Sequence, residues 1–256
     1  MGERGIISPE DREALARVCS LGIPVSLSTG RAAPATLPII SQLSLDGYHI
    51  FFDGALASNP EKGTEIYAQP ISEEMVRQTI EFAHFNKTNL EFYSTTQYFA
   101  ERETWSTDIR RRFFGIEPTV TDFTNLWKQE RIIKGTLTVR LPEEKAKAYN
   151  LCLHFKDSLY FSWTKAPAYP DVDFINVLAL GVSKKKALEA LIQNYGIHMN
   201  EVMAIGDGTN DISLLESVGL AVAMDNAPDE VKAVADYITL DVDHSGLSAA
   251  INKFLL

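Results

Sequence analysis

Asp207, Asn210 and Asp211 crowd into five residues of the stretch IGDGTNDISLLE, which directly follows the apolar run EVMA. Asp207 falls where a strand should end and Asp211 where the next helix should begin, so both carboxylates can face one point. Gly206 and Gly208 permit the tight turn between them. Hard oxygen donors of this kind suit Mg²⁺. A calcium loop of the EF-hand type is excluded: counting from Asp207, its sixth and twelfth positions hold Ile212 and Val218 instead of glycine and glutamate. The plain structural alternative, Asp207 shaping a turn and Asp211 capping a helix, leaves Asn210 without a role.

Three further patches bear on anion chemistry. In VSLSTGR the hydroxyl of Thr29 and the amide of Gly30 precede Arg31 and a helix start, a place where phosphate is readily held, although Ser-Thr-Gly-Arg is also a common turn and cap. Lys184, in GVSKKKALEAL, occupies the first turn of a helix, where the macrodipole disfavours a cation; a lysine there calls for an anion, while three lysines in a row also suit a solvated face. Asn226, in AMDNAPDEV, leaves another strand end.

These patches need a scaffold that brings strand ends together. Ser8 and Pro9 open a helix running to about Ser20, Ile23 to Leu27 reads as a buried strand, and YHIFFDGAL is a second strand ending in a turn. From about Pro60 to Trp163 the texture is α+β: SEEMVRQTIEFAHF and PEEKAKAYNLCLHF are amphipathic helices, and TNLEFYSTTQYFAE, IIKGTLTVRL and DSLYFSWT read as antiparallel strands. Then DFINVLAL, SKKKALEALIQNYG, EVMAIG, TNDISLLESVG, LAVAM, APDEVKAVA and YITL alternate strand and helix, the rhythm of a parallel sheet under helices. The expected fold is α/β, a discontinuous Rossmann-like core of residues 1–59 and 171–256 interrupted by an α+β domain of residues 60–170. In such sheets ligands bind where loops leave the carboxyl ends of the strands, and all four patches occupy such loops.

The 256 residues carry a formal charge of -10, which argues against a nucleic-acid partner and requires a local cation for any phosphate chemistry. No apolar run is long enough to cross a bilayer, and the opening MGERGIISPEDRE has no apolar signal core, so the expected location is the cytoplasm, with no membrane partner. Cys19 and Cys152 are far apart and outside any CxxC, and are expected to be two buried thiols. The five histidines form no HxxxH pair. DIRRRFFGI reads as a solvated helix face with an aromatic anchor, and Trp105, Trp163 and Tyr169 as core or hinge packing.

Taken together, VSLSTGR, GVSKKKALEAL and AIGDGTNDISLLESVGLAVAMDNAPDEVKAVADYIT resemble the second, third and fourth motifs of the haloacid dehalogenase superfamily, in its Cof-type branch with a type IIB cap. The resemblance implies a Mg²⁺-dependent phosphatase of small phosphorylated metabolites such as sugar phosphates, working through an aspartyl-phosphate intermediate. It assigns Thr29, Gly30 and Arg31 to the transferring phosphoryl group, Lys184 to its neutralisation, Asp207 to the metal, and Asp211 and Asn210 to completing the metal site. Asn226 matches an asparagine that supports this loop, with Asp225 where glycine is common. Asp53-Gly54-Ala55 matches an Asn-Gly-Ala turn, with Asp replacing Asn.

The first motif of that family, DxDGT, with its nucleophile and its general acid–base, does not occur in this sequence; the Asp-Gly pairs are Asp46-Gly47, Asp53-Gly54 and Asp207-Gly208. Asp53 lacks the surrounding residues that would make it a substitute nucleophile. Two accounts are open, a shortened record of a longer enzyme or a variant without catalysis, and the intact remaining motifs favour the first. The chain as written is expected to show little turnover. The alternative function is a non-catalytic phosphometabolite-binding protein on the same scaffold.

Overall fold

The computed structural model describes residues 7–166 and 168–256, so the N-terminal stretch judged to lack a signal core lies partly outside the described residues. The chain divides into two compact units. One comprises the N-terminal part to Gly30, Leu37–Tyr67 and Ser183–Leu256; the other comprises Arg31–Thr36 and Ala68–Val182.

The first unit is α/β. Its parallel sheet has the order Met203–Gly206, Leu220–Ala223, Tyr237–Ile238, with Met203 opposite Leu220 and Val222 opposite Tyr237. A separate three-stranded sheet is a meander of His49–Phe51, Leu56–Asn59 and Thr64–Ala68, its first two strands antiparallel with His49 opposite Ser58. The helix Lys184–Tyr195 packs on both sheets: Ala187, Leu188 and Leu191 share one apolar core with Ile50 and Ala57 of the meander and Ala204, Ala221 and Ala223 of the parallel sheet. Alanines in these strands let the helix lie close. Gly196, left-handed at φ 69°, ends it. The helix Pro9–Ser20 is capped by Ser8 and anchored to the C-terminal helix Gly246–Phe254 by buried Asp11, which accepts from the Ser248 N–H at 2.8 Å.

Ile23–Leu27 departs from expectation. It is not a regular buried strand: Ile23 and Pro24 are exposed, and Val25 and Leu27 half-buried. Its ladder contacts run to the meander, through a parallel bridge from Ser28 to Ile50 and hydrogen bonds from Thr29 N–H to Ile50 O (2.9 Å) and Ile50 N–H to Leu27 O (2.8 Å). The core sheet is accordingly two three-stranded sheets where one continuous sheet was expected.

The second unit is α+β. Its six-stranded sheet has the order Thr119–Val120, Tyr98–Ala100, Glu91–Tyr93, Lys134–Val139, Tyr169–Ala179, Leu159–Ala166. All neighbours are antiparallel except the first pair. The outermost strand Leu159–Ala166 slips register between Lys165 and Ala166, and leaves Tyr160 and Trp163 exposed. Alternation along the strands sorts the two faces. Phe92, Leu137, Val139, Ile175 and Val177 meet helices Glu73–Asn86 and Pro142–Phe155. Glu91, Tyr93, Lys134, Thr136 and Thr138 take the opposite face.

Several readings are corrected here. DFINVLAL does not open the parallel α/β rhythm; up to Ala179 it is part of Tyr169–Ala179, paired with Lys134–Val139 and Leu159–Ala166. The second unit comprises Arg31–Thr36 and Ala68–Val182, where residues 60–170 were expected, and residues 64–67 of the meander group with the first unit. DIRRR is not wholly a solvated face. Arg110 is buried, its Nη2 donating to Thr136 Oγ1 (2.8 Å) and Thr138 Oγ1 (3.0 Å), with its Nε 3.7 Å from Glu91 Oε2. Trp163 is 47% exposed, whereas Trp105 and Tyr169 pack with Ile109, Val172 and Phe174. Cys19 is exposed and Cys152 half-buried; burial raises the Cys152 thiol to about 11. Among the described residues, no helix is long and apolar enough to cross a membrane.

Candidate functional site

The site lies in the first unit, where several chain segments leave their sheets. Lys184 begins the helix Lys184–Tyr195, whose N-cap Ser183 accepts from the Lys186 N–H through its hydroxyl (3.3 Å). The Lys184 side chain is 3% exposed. Its Nζ lies 2.5 Å from Asp211 Oδ1 and 3.4 Å from the carbonyl oxygen of Ser28, the residue before Thr29. The carboxylate and the carbonyl dipole offset both burial and the adverse helix dipole.

Asp211 has a second task. Its Oδ2 accepts from the N–H groups of Asp207 (3.1 Å) and Gly208 (3.0 Å), closing the loop after Met203–Gly206 back on itself. A Cβ at Gly206 would stand 2.8 Å from Asp211 Oδ2, and one at Gly208 2.5 Å from Asn210 Oδ1, so this closure needs glycine at both places. Asp207 is exposed at the loop mouth. Asn226, just past Leu220–Ala223, donates from Nδ2 to Asp207 Oδ2 (3.3 Å) and accepts from the Val242 N–H at 3.0 Å.

The turn after His49–Phe51 brings in a further acid. Phe52 and Asp53 are both left-handed, at φ 53° and 56°, a conformation costing a non-glycine residue about 1 kcal/mol or more. Gly54 follows at φ 100°, so close to the start of the next helix that a Cβ would fall 2.3 Å from Ser183 O. Asp53 is buried, its N–H donates to Thr29 O (3.1 Å), and its Oδ1 accepts from Asn210 Nδ2 at 2.7 Å. A Cβ at Gly30 would stand 2.6 Å from that same Oδ1.

The structure thus brings Gly30, Asp53, Lys184, Asn210 and Asp211 into one connected set, with Asp207 and Asn226 continuing it, and with Thr29 joined to Asp53 through its carbonyl oxygen. Arg31 is placed differently. It groups with the second unit, its guanidinium 5.9 Å and 5.7 Å from the ring centres of Phe113 and Phe114, and burial lowers its pKa. Asp53 is the member that motif spacing undervalued; its one sequence signal was the Asp-Gly turn at a strand end.

The donors suit a hard cation. Among the described residues, no group of three or more histidine, cysteine, aspartate or glutamate side chains stands ready to hold a metal alone. Mg²⁺, however, takes one or two carboxylates and completes its shell with water and phosphate oxygens. Exposed Asp207 and the Asn210 amide oxygen on a glycine-closed loop offer donors of that kind, while both Asp211 oxygens are engaged by Lys184 and the 207–208 amides, a position from which Asp211 would complete the site through the water shell.

A family model of haloacid dehalogenase-like hydrolases matches residues 2–251. Among curated proteins, the chain is 28% identical over 264 residues to 5-amino-6-(5-phospho-D-ribitylamino)uracil phosphatase of Bacillus subtilis, covering 100% of this chain and 92% of that one. It is 28% identical over 235 residues to phosphoglycolate phosphatase 1 of Saccharolobus solfataricus, covering 91% and 81%. Among solved structures, a haloacid dehalogenase-like hydrolase from Bacteroides thetaiotaomicron superposes with a TM-score of 0.85 at 26% identity, covering 98% of this chain and 93% of that one. A sugar phosphatase of subclass IIB superposes with a TM-score of 0.79 at 25% identity, covering 99% and 94%. With a match along nearly its whole length, and with lysine, paired acids and asparagine gathered at the strand ends, the chain belongs to the haloacid dehalogenase-like hydrolases.

Proposed function

We propose that the protein is a Mg²⁺-dependent phosphatase, a phosphoric monoester hydrolase acting on small phosphorylated metabolites such as sugar phosphates through an aspartyl-phosphate intermediate. The observation that carries this reading is the buried ammonium of Lys184, 2.5 Å from Asp211 and 3.4 Å from Ser28 O, a fixed positive charge in a molecule of formal charge -10. Two relatives named as phosphatases, and a solved sugar phosphatase of the same fold, support it.

In this reading the chain positions and neutralises, which is most of what phosphoryl transfer asks of a protein. Thr29 offers a hydroxyl and Gly30 a main chain unobstructed by a side chain to the phosphoryl oxygens. Lys184 balances their charge from a side chain that cannot swing away. Asp211 holds Lys184 and the 207–208 amides together, so the cation and the metal loop keep one geometry. Asn226 orients the Asp207 carboxylate. Mg²⁺, held by Asp207 with Asp211 and Asn210 completing its site, would supply charge neutralisation at the transferring group. The carboxylate nucleophile of DxDGT is not in this chain, and low turnover is the proposed behaviour of the chain alone.

The alternative reading is a phosphometabolite-binding protein without catalysis on the same scaffold. Hydrolysis of p-nitrophenyl phosphate in Mg²⁺ separates the two when the chain is assayed beside a version carrying an added upstream strand with Asp-x-Asp-Gly-Thr. Activity confined to the extended form supports the hydrolase. Phosphate binding with no activity in either form supports the binding protein, and neither binding nor activity overturns both.

A further inference from the structure

The left-handed turn Phe52–Gly54 turns the Asp53 carboxylate, 6% exposed, toward two groups that the phosphatase reading assigns to its ligands. One is the Gly30 main chain, where a Cβ would stand 2.6 Å from Asp53 Oδ1 and 3.1 Å from Oδ2. The other is the Asn210 amide, which donates to Oδ1 at 2.7 Å. The turn cannot relax easily, because Gly54 is pressed against Ser183 and Lys184, and the Asp53 N–H is tied to Thr29 O. The Gly30 main chain that the phosphatase reading offers to a phosphoryl oxygen thus packs against a carboxylate of the same chain, a group of similar charge and hydrogen-bonding character.

We propose that Asp53 is the resident anion of this cradle, and that its charge determines how tightly phosphate binds. It satisfies the Asn210 amide and keeps the Gly30 segment, the 52–54 turn and the 207–211 loop in register. An incoming phosphate must displace that carboxylate or bind beside it against like-charge repulsion. Asp53, Asp207 and Asp211 together outnumber the one buried ammonium of Lys184, so the site selects for ligands that arrive with a cation. The proposal rests on the phosphatase reading of the same site.

The test is a calorimetric titration of the full chain with inorganic phosphate in Mg²⁺, comparing the parent with Asp53→Asn and Asp53→Gly. The asparagine is isosteric and keeps an oxygen for Asn210; the glycine suits φ 56°. Both variants are expected to bind phosphate on the order of tenfold more tightly, from removal of one like charge at contact distance. A residue that only shaped the turn would give the opposite sign. Unchanged or weaker binding in variants that remain folded by circular dichroism overturns the proposal and leaves the phosphate site standing; should one variant fail to fold, the other decides. Absence of binding in the parent and in both variants removes the phosphate site and the proposal together.

Discussion

Lys184 and Asp211 share the tightest contact of the site, and each has other work: the lysine reaches the Ser28 carbonyl and the aspartate closes the 207–208 amides. Breaking such a buried pair from one side is costly, so substitutions there disturb fold and site together. Asp207 is the better probe, being exposed, with its carboxylate oriented by Asn226. Asp207→Asn is expected to weaken Mg²⁺ binding roughly tenfold or more, since one anionic oxygen donor becomes a neutral amide, while the melting temperature stays close to the parent's. Calorimetry with Mg²⁺ checks this, and undiminished affinity would argue strongly against the metal loop. At this scale much of the site was legible, because Asp207, Asn210 and Asp211 are neighbours in sequence and Lys184 stands where a helix repels cations. Asp53 was less so: its contact with Asn210 joins residues 157 apart and depends on a left-handed backbone that composition does not announce. For Arg31, adjacency to Gly30 in the chain says nothing of the aromatic rings its guanidinium meets.

The elements that hold the site meet at the Phe52–Gly54 turn. Gly54 sits at φ 100°, and any Cβ there collides with the Ser183 carbonyl, so Gly54→Ala should destabilise the protein by about 2–3 kcal/mol through strain and forced separation of turn and helix. Urea denaturation measures it; a loss below about 0.5 kcal/mol, the range of an ordinary surface change, would mean that the turn and the helix start are not tightly joined. Helix boundaries were readable because caps are local: Ser8, Ser72 and Ser183 each accept from an N–H three residues on. Non-local pairing was not. The apolar run Ile23–Leu27 looks like any buried strand, but burial depends on what flanks it, and Val25 and Leu27 remain half-exposed. DFINVLAL likewise has the composition of a parallel core strand and is instead the middle of an antiparallel ladder. The three arginines of DIRRR gave no sign that Arg110 alone would turn inward to Thr136 and Thr138.

For the molecule as a whole, folding free energy is linked to pH through His49. The side chain is fully buried, and its Nδ1 accepts from the Leu27 N–H at 3.1 Å, tying the Thr29 segment to the meander. Burial pushes its pKa down to about 4, against smaller raising effects of the Leu45 carbonyl and the Asp46 charge. The unfolded chain then binds a proton near pH 6.5 that the folded chain refuses until about pH 4. Stability from this group is complete above pH 6.5 and falls progressively as pH drops toward 4, by up to about 3 kcal/mol. Denaturation at pH 7.5 and 4.5 should show a larger loss for the parent than for His49→Asn, which keeps an acceptor and cannot titrate; equal losses would exclude His49 as the cause. The α/β class of the first unit and the α+β class of the second followed from strand and helix rhythm, whereas the split of the core sheet did not, because rhythm records the order of strands and not which of them touch. The outer strand Leu159–Ala166 has a consequence for life at high concentration. It is the edge strand of its sheet, with Tyr160 and Trp163 exposed between buried Leu159 and Ala166, and such a rim is a template on which another polypeptide's backbone can stack. The exposed ammonium of Lys165 and the register slip beside it stand guard at one end of that rim, trading a few ladder bonds for molecules that stay apart.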